Sequence, residues 1–235
     1  MQRPAPRYAI YFTPSPLSPL ARFGAGVIGY DPAAAADVPH LHLEGISARE
    51  LAAATEAPRK YGFHATLMAP FHLGEHTESR LLEGLDEFCS RLGPVRLGPL
   101  QVTMLGDFVA LVPRAAGAPL EALAGRCVEF FDAFRAPLGV EDLARRSNGR
   151  LSPRQRAYLD RWGYPYVFED FRFHMTLTGP LAARQHFLAA LVKAFGPLAD
   201  GVYDIDALSL MRQRNPDSRF EVIARRVLQV RESRI

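Results

Sequence analysis

Tyr61-Gly-Phe-His-Ala-Thr-Leu-Met-Ala-Pro70 is answered, without a gap, by Phe171-Arg-Phe-His-Met-Thr-Leu-Thr-Gly-Pro180. The two runs share Phe63/Phe173, His64/His174, Thr66/Thr176, Leu67/Leu177 and Pro70/Pro180, and each opens on an aromatic. Rich in aromatic and β-branched residues and closed by Pro, both read as strands. Side chains on a strand alternate between faces. Phe63, Ala65 and Leu67 therefore go to one side of the first run, and Phe173, Met175 and Leu177 to one side of the second. The opposite faces carry His64 with Thr66, and His174 with Thr176. One face is core; the other shows an imidazole beside a hydroxyl, twice.

Working outward, Arg7 to Thr13 reads as a first strand, ended by a Pro-Ser-Pro turn. Leu17 to Ile28 has helical spacing, with Leu20, Phe23 and Val27 as its buried stripe. Ser47 and Glu50 form a capping box for a helix running to about Thr55. Thr77 caps a helix through Leu81, Leu85 and Phe88. Val95 to Val112 is a meander broken at Gly98-Pro99 and Gly106-Asp107, and Leu120 to Phe134 is another helix. Ser152-Pro153 starts and Gly163 stops a helix within an Arg- and Tyr-rich segment, 145–166. Beyond the second run come a helix from Leu181 to Phe195, a strand from Leu208 to Arg212 and a hairpin over Asn215 to Ser218 into Phe220 to Ala224.

The repeated histidines lie 110 positions apart in a chain of 235 residues, and a helix follows each. An internal duplication accounts for this economically. Two copies of one unit would bring a His-bearing strand from each half to face the other across a groove. The expected architecture is one two-lobed domain over 1–235, with 136–170 set apart as a lid or insertion.

The hydrophobic fraction of 48% and charged fraction of 23% are those of an ordinary globular chain. A net charge of +3 suits an anionic ligand without arguing for nucleic acid. Cys89 and Cys127 stand far apart and read as reduced, semi-buried thiols. Met1 to Tyr11 lacks the apolar stretch of a signal peptide, and no run is long enough to cross a bilayer. A cytoplasmic protein without membrane contact is the expectation.

A lone His-x-Thr says little; a pair in register says more. Two imidazoles suit general acid–base chemistry, because an unperturbed histidine titrates at about pH 6.5. One takes a proton from water or a ribose hydroxyl while the other donates to a leaving oxygen. Each Thr can donate to a non-bridging phosphoryl oxygen, where charge builds during substitution at a phosphodiester.

His64-Ala-Thr66 and His174-Met-Thr176 together resemble the signature of the 2H phosphoesterase superfamily, which includes 2′,3′-cyclic nucleotide phosphodiesterases and the so-called 2′-5′ RNA ligases. Pro58-Arg-Lys-Tyr-Gly-Phe-His-Ala-Thr-Leu67, and Trp162 to Val167 through Phe171 to Leu177, resemble a narrower branch associated with phosphonate-utilisation genes. The resemblance spans nearly the whole chain. It implies a bilobal, duplicated α+β fold, with two antiparallel sheets lining a central cleft and helices outside. It also implies hydrolysis or transfer at cyclic or 2′-5′ phosphodiesters with no metal and no cofactor. His64 and His174 would be the acid–base pair, with Thr66 and Thr176 as phosphate-binding hydroxyls. The phosphonate association implies a ribosyl cyclic phosphate carrying a 5-phosphate.

Alternation along the strands also sends Arg172 to the groove, and Lys60 if the first strand begins that early. Tyr11 on the first strand is a further candidate lining residue, though an aromatic there is more often core. The segment 145–166 reads as a lid over an anion, as a nucleic-acid platform with stacking aromatics, or as a solvated helix with snorkelling arginines, the last being the simplest. Arg212, Arg214 and His186 read as surface. His40 with His42, and His72 with His76, lack the three or four ligands of a metal site. The expected partner is a small cyclic phosphate or a short RNA end. A phosphate-binding module without turnover, and an RNA 2′-5′ ligase, are the alternatives; the charge balance gives ligation little basic surface.

Overall fold

Strand β1 (Arg7–Phe12) sets the parity of the molecule. Its Tyr8, Ile10 and Phe12 enter the main core, whereas Ala9 and Tyr11 join Met211 and Phe220 in a smaller cluster on the other face. The computed structural model describes residues 5–115, 117–147, 151–181 and 184–229.

Helix α1 (Pro19–Ile28) is capped by the Ser18 hydroxyl and closed by Gly29 at φ 78°. A short hairpin follows, β2 (Tyr30–Asp31) with β3 (Ala36–Asp37). The Ser47/Glu50 capping box then opens α2 (Ala48–Ala54), which runs on into α3 (Glu56–Arg59). Next come β4 (Ala65–His72) and α4 (Glu78–Cys89), whose first turn the Thr77 hydroxyl caps. The meander is β5 (Val95–Gly98), β6 (Leu100–Leu105) and β7 (Phe108–Pro113). Helix α5 (Ala118–Phe131) buries Leu120, Leu123, Cys127 and Phe131.

Two helices follow, α6 (Val140–Arg146) and α7 (Pro153–Trp162). Ser152 and Gln155 form a capping box on α7, and Gly163 ends it at φ 72°. Helix α6 has no buried residue and hence no apolar stripe in the sequence to announce it. The chain ends with β8 (Met175–Thr176), α8 (Arg184–Phe195), β9 (Tyr203–Ile205), β10 (Ala207–Gln213) and β11 (Glu221–Val227). The expected helix from Leu181 overlaps residues 182 and 183, which lie outside the described residues.

The described residues form an α+β fold with antiparallel pairing throughout its sheets. The main sheet runs β11-β10-β1-β4-β8-β7-β6, and β5 pairs with β9 beside it. The two sheets expected around a cleft are thus a four-stranded and a three-stranded part of one sheet. A single registered pair, Ala65 with Met175, joins them. The His-bearing runs are neighbours within that sheet rather than walls facing across a gap. The reason is burial: Phe63, Ala65, Leu67, Phe173, Met175 and Leu177 all enter one core, shared with Phe23, Leu85, Phe131 and Leu191 of the helices. The parts also interleave in sequence. The first His run lies beside the N-terminal β1, which pairs with the late β10, while the second lies beside the mid-chain β7.

Both His runs are extended over less of their length than the sequence suggests. Strand β4 begins at Ala65, because Gly62 takes φ 74° at the exit of α3 and breaks the extended path. Register shifts against β1 let Pro70 sit inside β4 without a missing ladder bond. Strand β8 stops at Thr176, since the Thr178 hydroxyl accepts from the Val109 amide at 3.0 Å.

Candidate active site

His64 stands immediately before β4, and its position follows from the bend at Gly62. The Gly62 carbonyl lies 2.8 Å from His64 Nδ1. A carbonyl only accepts, so Nδ1 carries the hydrogen and Nε2 is left with its lone pair. His174 repeats this arrangement: its Nδ1 lies 2.8 Å from the Arg172 carbonyl, again two residues back. The second run therefore repeats a hydrogen-bonded tautomer as well as a residue. At His64 the Thr66 hydroxyl lies 3.3 Å from Nε2.

The Ala65–Met175 pairing sets His64 across from Thr176 and Thr66 across from His174, as antiparallel register requires. Directly opposed residues have Cβ atoms roughly 5 Å apart. The four side chains therefore form a two-by-two array on one face. His64, Thr66 and Thr176 line a cleft of ≈ 430 Å³ whose walls include Tyr11, Tyr61, Phe108 and Tyr164. His174 is not among the lining residues; half-exposed, it has the ring of Phe108, one of the cleft's walls, 5.7 Å away.

The His64 ring is packed on its faces. Tyr11 stacks against it with centroids 3.9 Å apart and planes 15° from parallel, and Tyr61 leans over it at 6.1 Å. This burial lowers the imidazole pKa to about 4, with the Gly62 carbonyl opposing and the His174 charge adding slightly. His64 is thus a neutral base at pH 7. Tyr11 is itself fully buried, and burial holds its phenol well above the usual range. It lines the cleft and packs in the core at once.

Two other expected residues are elsewhere. Arg172 folds its guanidinium onto the Glu169 and Phe171 carbonyls and does not line the cleft. Lys60 donates to the Pro216 carbonyl at 2.8 Å and lines an adjoining cavity. Alternation placed both on the polar face, but Lys60 caps α3 and Arg172 precedes β8, so neither sits on a strand where alternation holds.

In their stead the cleft holds Arg7, Arg145 and Arg146, and among the described residues no carboxylate lines it. Arg7 shares a strand face with Tyr11, a parity visible in the sequence. Arg146 lies in the Arg-rich segment, yet its guanidinium is anchored inward on the carbonyls of Pro70 and Gly163. Its side chain also stands over the Tyr164 ring. Burial pulls this guanidinium below its usual range, although an arginine stays charged at pH 7. The reading of 145–166 as a purely solvated helix is thereby corrected at its near end. Arg212 is tied to Glu78 and Glu221, and Arg214 to Glu221, away from the cleft.

Among the described residues, no three His, Cys, Asp or Glu side chains gather as a metal ion would need. His40 is engaged with the Val27 carbonyl and Arg59, and His72 with the Pro6 carbonyl. Both cysteines are free and buried, and burial pushes the Cys89 thiol up to about 12. No helix among the described residues is long and apolar enough to span a membrane.

The antiparallel sheet of this α+β fold thus brings the His64 imidazole and two hydroxyls to an arginine-lined cleft, with the His174 imidazole beside its Phe108 wall. The chain belongs to the family described as "Protein of unknown function (DUF1045)", whose model matches residues 66–221. It is 42% identical over 228 residues to a ribose 1,5-bisphosphate phosphokinase PhnN of Janthinobacterium sp. (strain Marseille), covering 91% of this chain and 49% of that protein. A protein of the same name from Laribacter hongkongensis (strain HLHK9) is 35% identical over 176 residues, 74% of this chain and 40% of that one. The chain thus spans about half the length, or less, of these curated relatives. Among solved structures, E. coli LigT complexed with 3′-AMP aligns over 96% of this chain and 99% of that chain, with 14% identity and a TM-score of 0.41. A likeness of that size carries no activity across.

Proposed function

We propose that this chain hydrolyses a small, ribose- or nucleotide-like cyclic phosphodiester by acid–base catalysis from His64 and His174. The observation that carries the reading is the repeated pair: each His is fixed by Nδ1 on the carbonyl two residues back, and each stands beside the Thr of its own run and across from the Thr of the other. Binding an anion needs charge and donors; two imidazoles held in one tautomer additionally suit proton transfer.

In the proposed step the neutral Nε2 of His64 takes a proton from water as its oxygen bonds to phosphorus. His174, protonated, gives its Nε2 proton to the ribose oxygen as that P–O bond breaks. One phosphate monoester and one free hydroxyl result, and proton exchange with solvent resets the two rings. Thr66 and Thr176 donate to the non-bridging oxygens, where charge increases. The arginine side of the cleft supplies the remaining positive field, so the step calls on no metal ion.

The name of the curated relatives describes proteins about twice as long as the part aligned here. This chain has no Gly-x-x-x-x-Gly-Lys-Ser/Thr phosphate loop, since its two lysines, Lys60 and Lys193, follow Arg59 and Val192. We assign phosphokinase chemistry to the other part of those relatives, and to this part the supply or consumption of a phosphorylated ribose.

The test is turnover of 2′,3′-cyclic nucleotides, followed by phosphorus NMR, with and without EDTA. Activity should persist in EDTA, and His64→Ala and His174→Ala should each lose about 10²- to 10⁴-fold in kcat. Near wild-type turnover in either variant, or abolition by EDTA, would reject the paired mechanism.

A further inference from the structure

His64 and His174 are fixed by the same kind of bond but not by the same support. At His64 the carbonyl belongs to Gly62, whose amide donates back to Pro58, and Tyr11 and Tyr61 pack on the ring. At His174 the ring is half-exposed, with Phe108 tilted 52° to it, and the strand that follows is two residues long. The direction of this second ring therefore rests on the Arg172 carbonyl, 2.8 Å from Nδ1. Resting on the phosphodiesterase reading, we propose that Arg172 is a positioning residue: with Asp170 it staples the loop 168–172 so that its own carbonyl aims Nε2 of His174 at the leaving oxygen.

The Arg172 side chain is spent on its own loop. Nη1 donates to the Glu169 carbonyl at 2.9 Å and to the Phe171 carbonyl at 2.6 Å, and the side chain does not line the cleft. A guanidinium has donors in a rigid fork and no acceptor, so two carbonyls of one loop make it a tie. Asp170 adds a second tie, to helix α7. Its side chain is 13% exposed and accepts from Arg154 Nε and Nη2 at 2.8 and 3.1 Å. A two-pronged bond of this kind fixes direction as well as distance. Gln155, which completes the capping box of α7, donates to the same carboxylate at 3.4 Å, and Tyr158 donates to Glu169.

The backbone of the loop shows why it needs holding. Phe168 has φ 51°, a region that bulky side chains avoid. Such a conformation persists where the surroundings over-determine it. Here the Tyr158 and Trp162 rings lie 5.5 and 5.2 Å from the Phe168 ring, and a Cβ on Gly125 of α5 would come within 3.3 Å of its Cδ1. Burial of Phe171 and Phe173 then holds the chain down on the core, and the Arg172 tie decides which way the carbonyl between them turns.

The experiment follows the His174 ring by nitrogen NMR and measures kcat and KM for adenosine 2′,3′-cyclic phosphate. It uses wild type, Arg172→Met, Arg172→Lys and Asp170→Asn, with the ring signal identified by its loss in His174→Gln. In wild type the neutral ring should carry its hydrogen on Nδ1, because the tautomer follows the bond that nitrogen makes. Arg172→Met should shift hydrogen from Nδ1 toward Nε2 and leave the His64 ring unchanged. It should also lower kcat about tenfold or more with KM within about twofold, the pattern of a misaimed group. Arg172→Lys, which can still reach a carbonyl, should recover part of the loss. Asp170→Asn should move both readouts the same way by less, and it carries the comparison if Arg172→Met fails to fold. A tautomer or a kcat that Arg172→Met leaves unmoved overturns the proposal. So does a raised KM with kcat intact, which would make Arg172 a substrate ligand. If wild type turns over nothing, the phosphodiesterase reading fails instead, and the tautomer alone decides whether Arg172 orients the ring: a shift in Arg172→Met supports it, and no shift overturns it.

Discussion

Lowering the pH should protonate His64 far later than an ordinary imidazole. The ring is sandwiched by Tyr11 and overhung by Tyr61, and this burial brings its pKa to about 4 from 6.5. At pH 5.5 an unperturbed histidine is about ten to one protonated, whereas a group titrating at about 4 is roughly thirty to one neutral. The acid limb of kcat/KM reports the free enzyme. It should therefore fall near pH 4, with activity at pH 5.5 no lower than about half that at pH 7. The sign for stability follows from the same shift. The folded state binds fewer protons than the unfolded chain, so His64 contributes fully above pH 6.5 and loses that contribution as pH falls through about 4. Tyr61→Ala uncovers one side of the ring and should move both the limb and the titration back toward 6.5. The assay is a proton NMR titration of the His64 ring, identified by its loss in His64→Gln, run beside the pH–rate profile. A wild-type His64 titrating near 6.5, or a limb indifferent to Tyr61→Ala, would refute the argument that burial sets its protonation.

Thr66→Ala and Thr176→Ala should each reduce kcat by about 10²-fold, the scale of losing one fixed oxyanion donor, with smaller effects on KM; an unchanged kcat would remove the hydroxyls from the mechanism. Gly24→Ala tests the support behind the first run, because a Cβ there would lie 1.9 Å from Phe63 Cδ1. Overpacking of this kind costs about 1–3 kcal/mol in urea unfolding, and displaced Phe63 should lower turnover through its neighbour His64; a variant as stable and active as wild type would show the contact to be soft.

What could be read from the residues divides along a physical line. Local signals were legible: the Ser47/Glu50 box, the Thr77 cap and the Ser152 start with its Gly163 stop each act within four to eleven residues, and each is present. The α+β class followed from those signals and from alternation in the strands. The pairing of Ala65 with Met175 was not legible, because it depends on which apolar faces find a common core. Lys60 and Arg172 were assigned to the cleft by extending strand parity past the strand ends, where Gly62 and a short 3-10 helix at 168–170 have already turned the chain. Arg146 was hidden for the opposite reason. Its partners, the carbonyls of Pro70 and Gly163, are backbone groups distant in sequence, which no side-chain pattern reports.

The interleaved strand order has a consequence for how the molecule comes into being. β1 cannot acquire its second neighbour until Gln213 is available to Arg7, 206 positions away. During synthesis the N-terminal strands must wait, with open edges, for a partner that arrives near the end of the described chain. Completion of the sheet behind the cleft is accordingly a late event, and a nascent chain halted before β10 should hold both histidines yet leave the four-stranded part of the sheet unfinished.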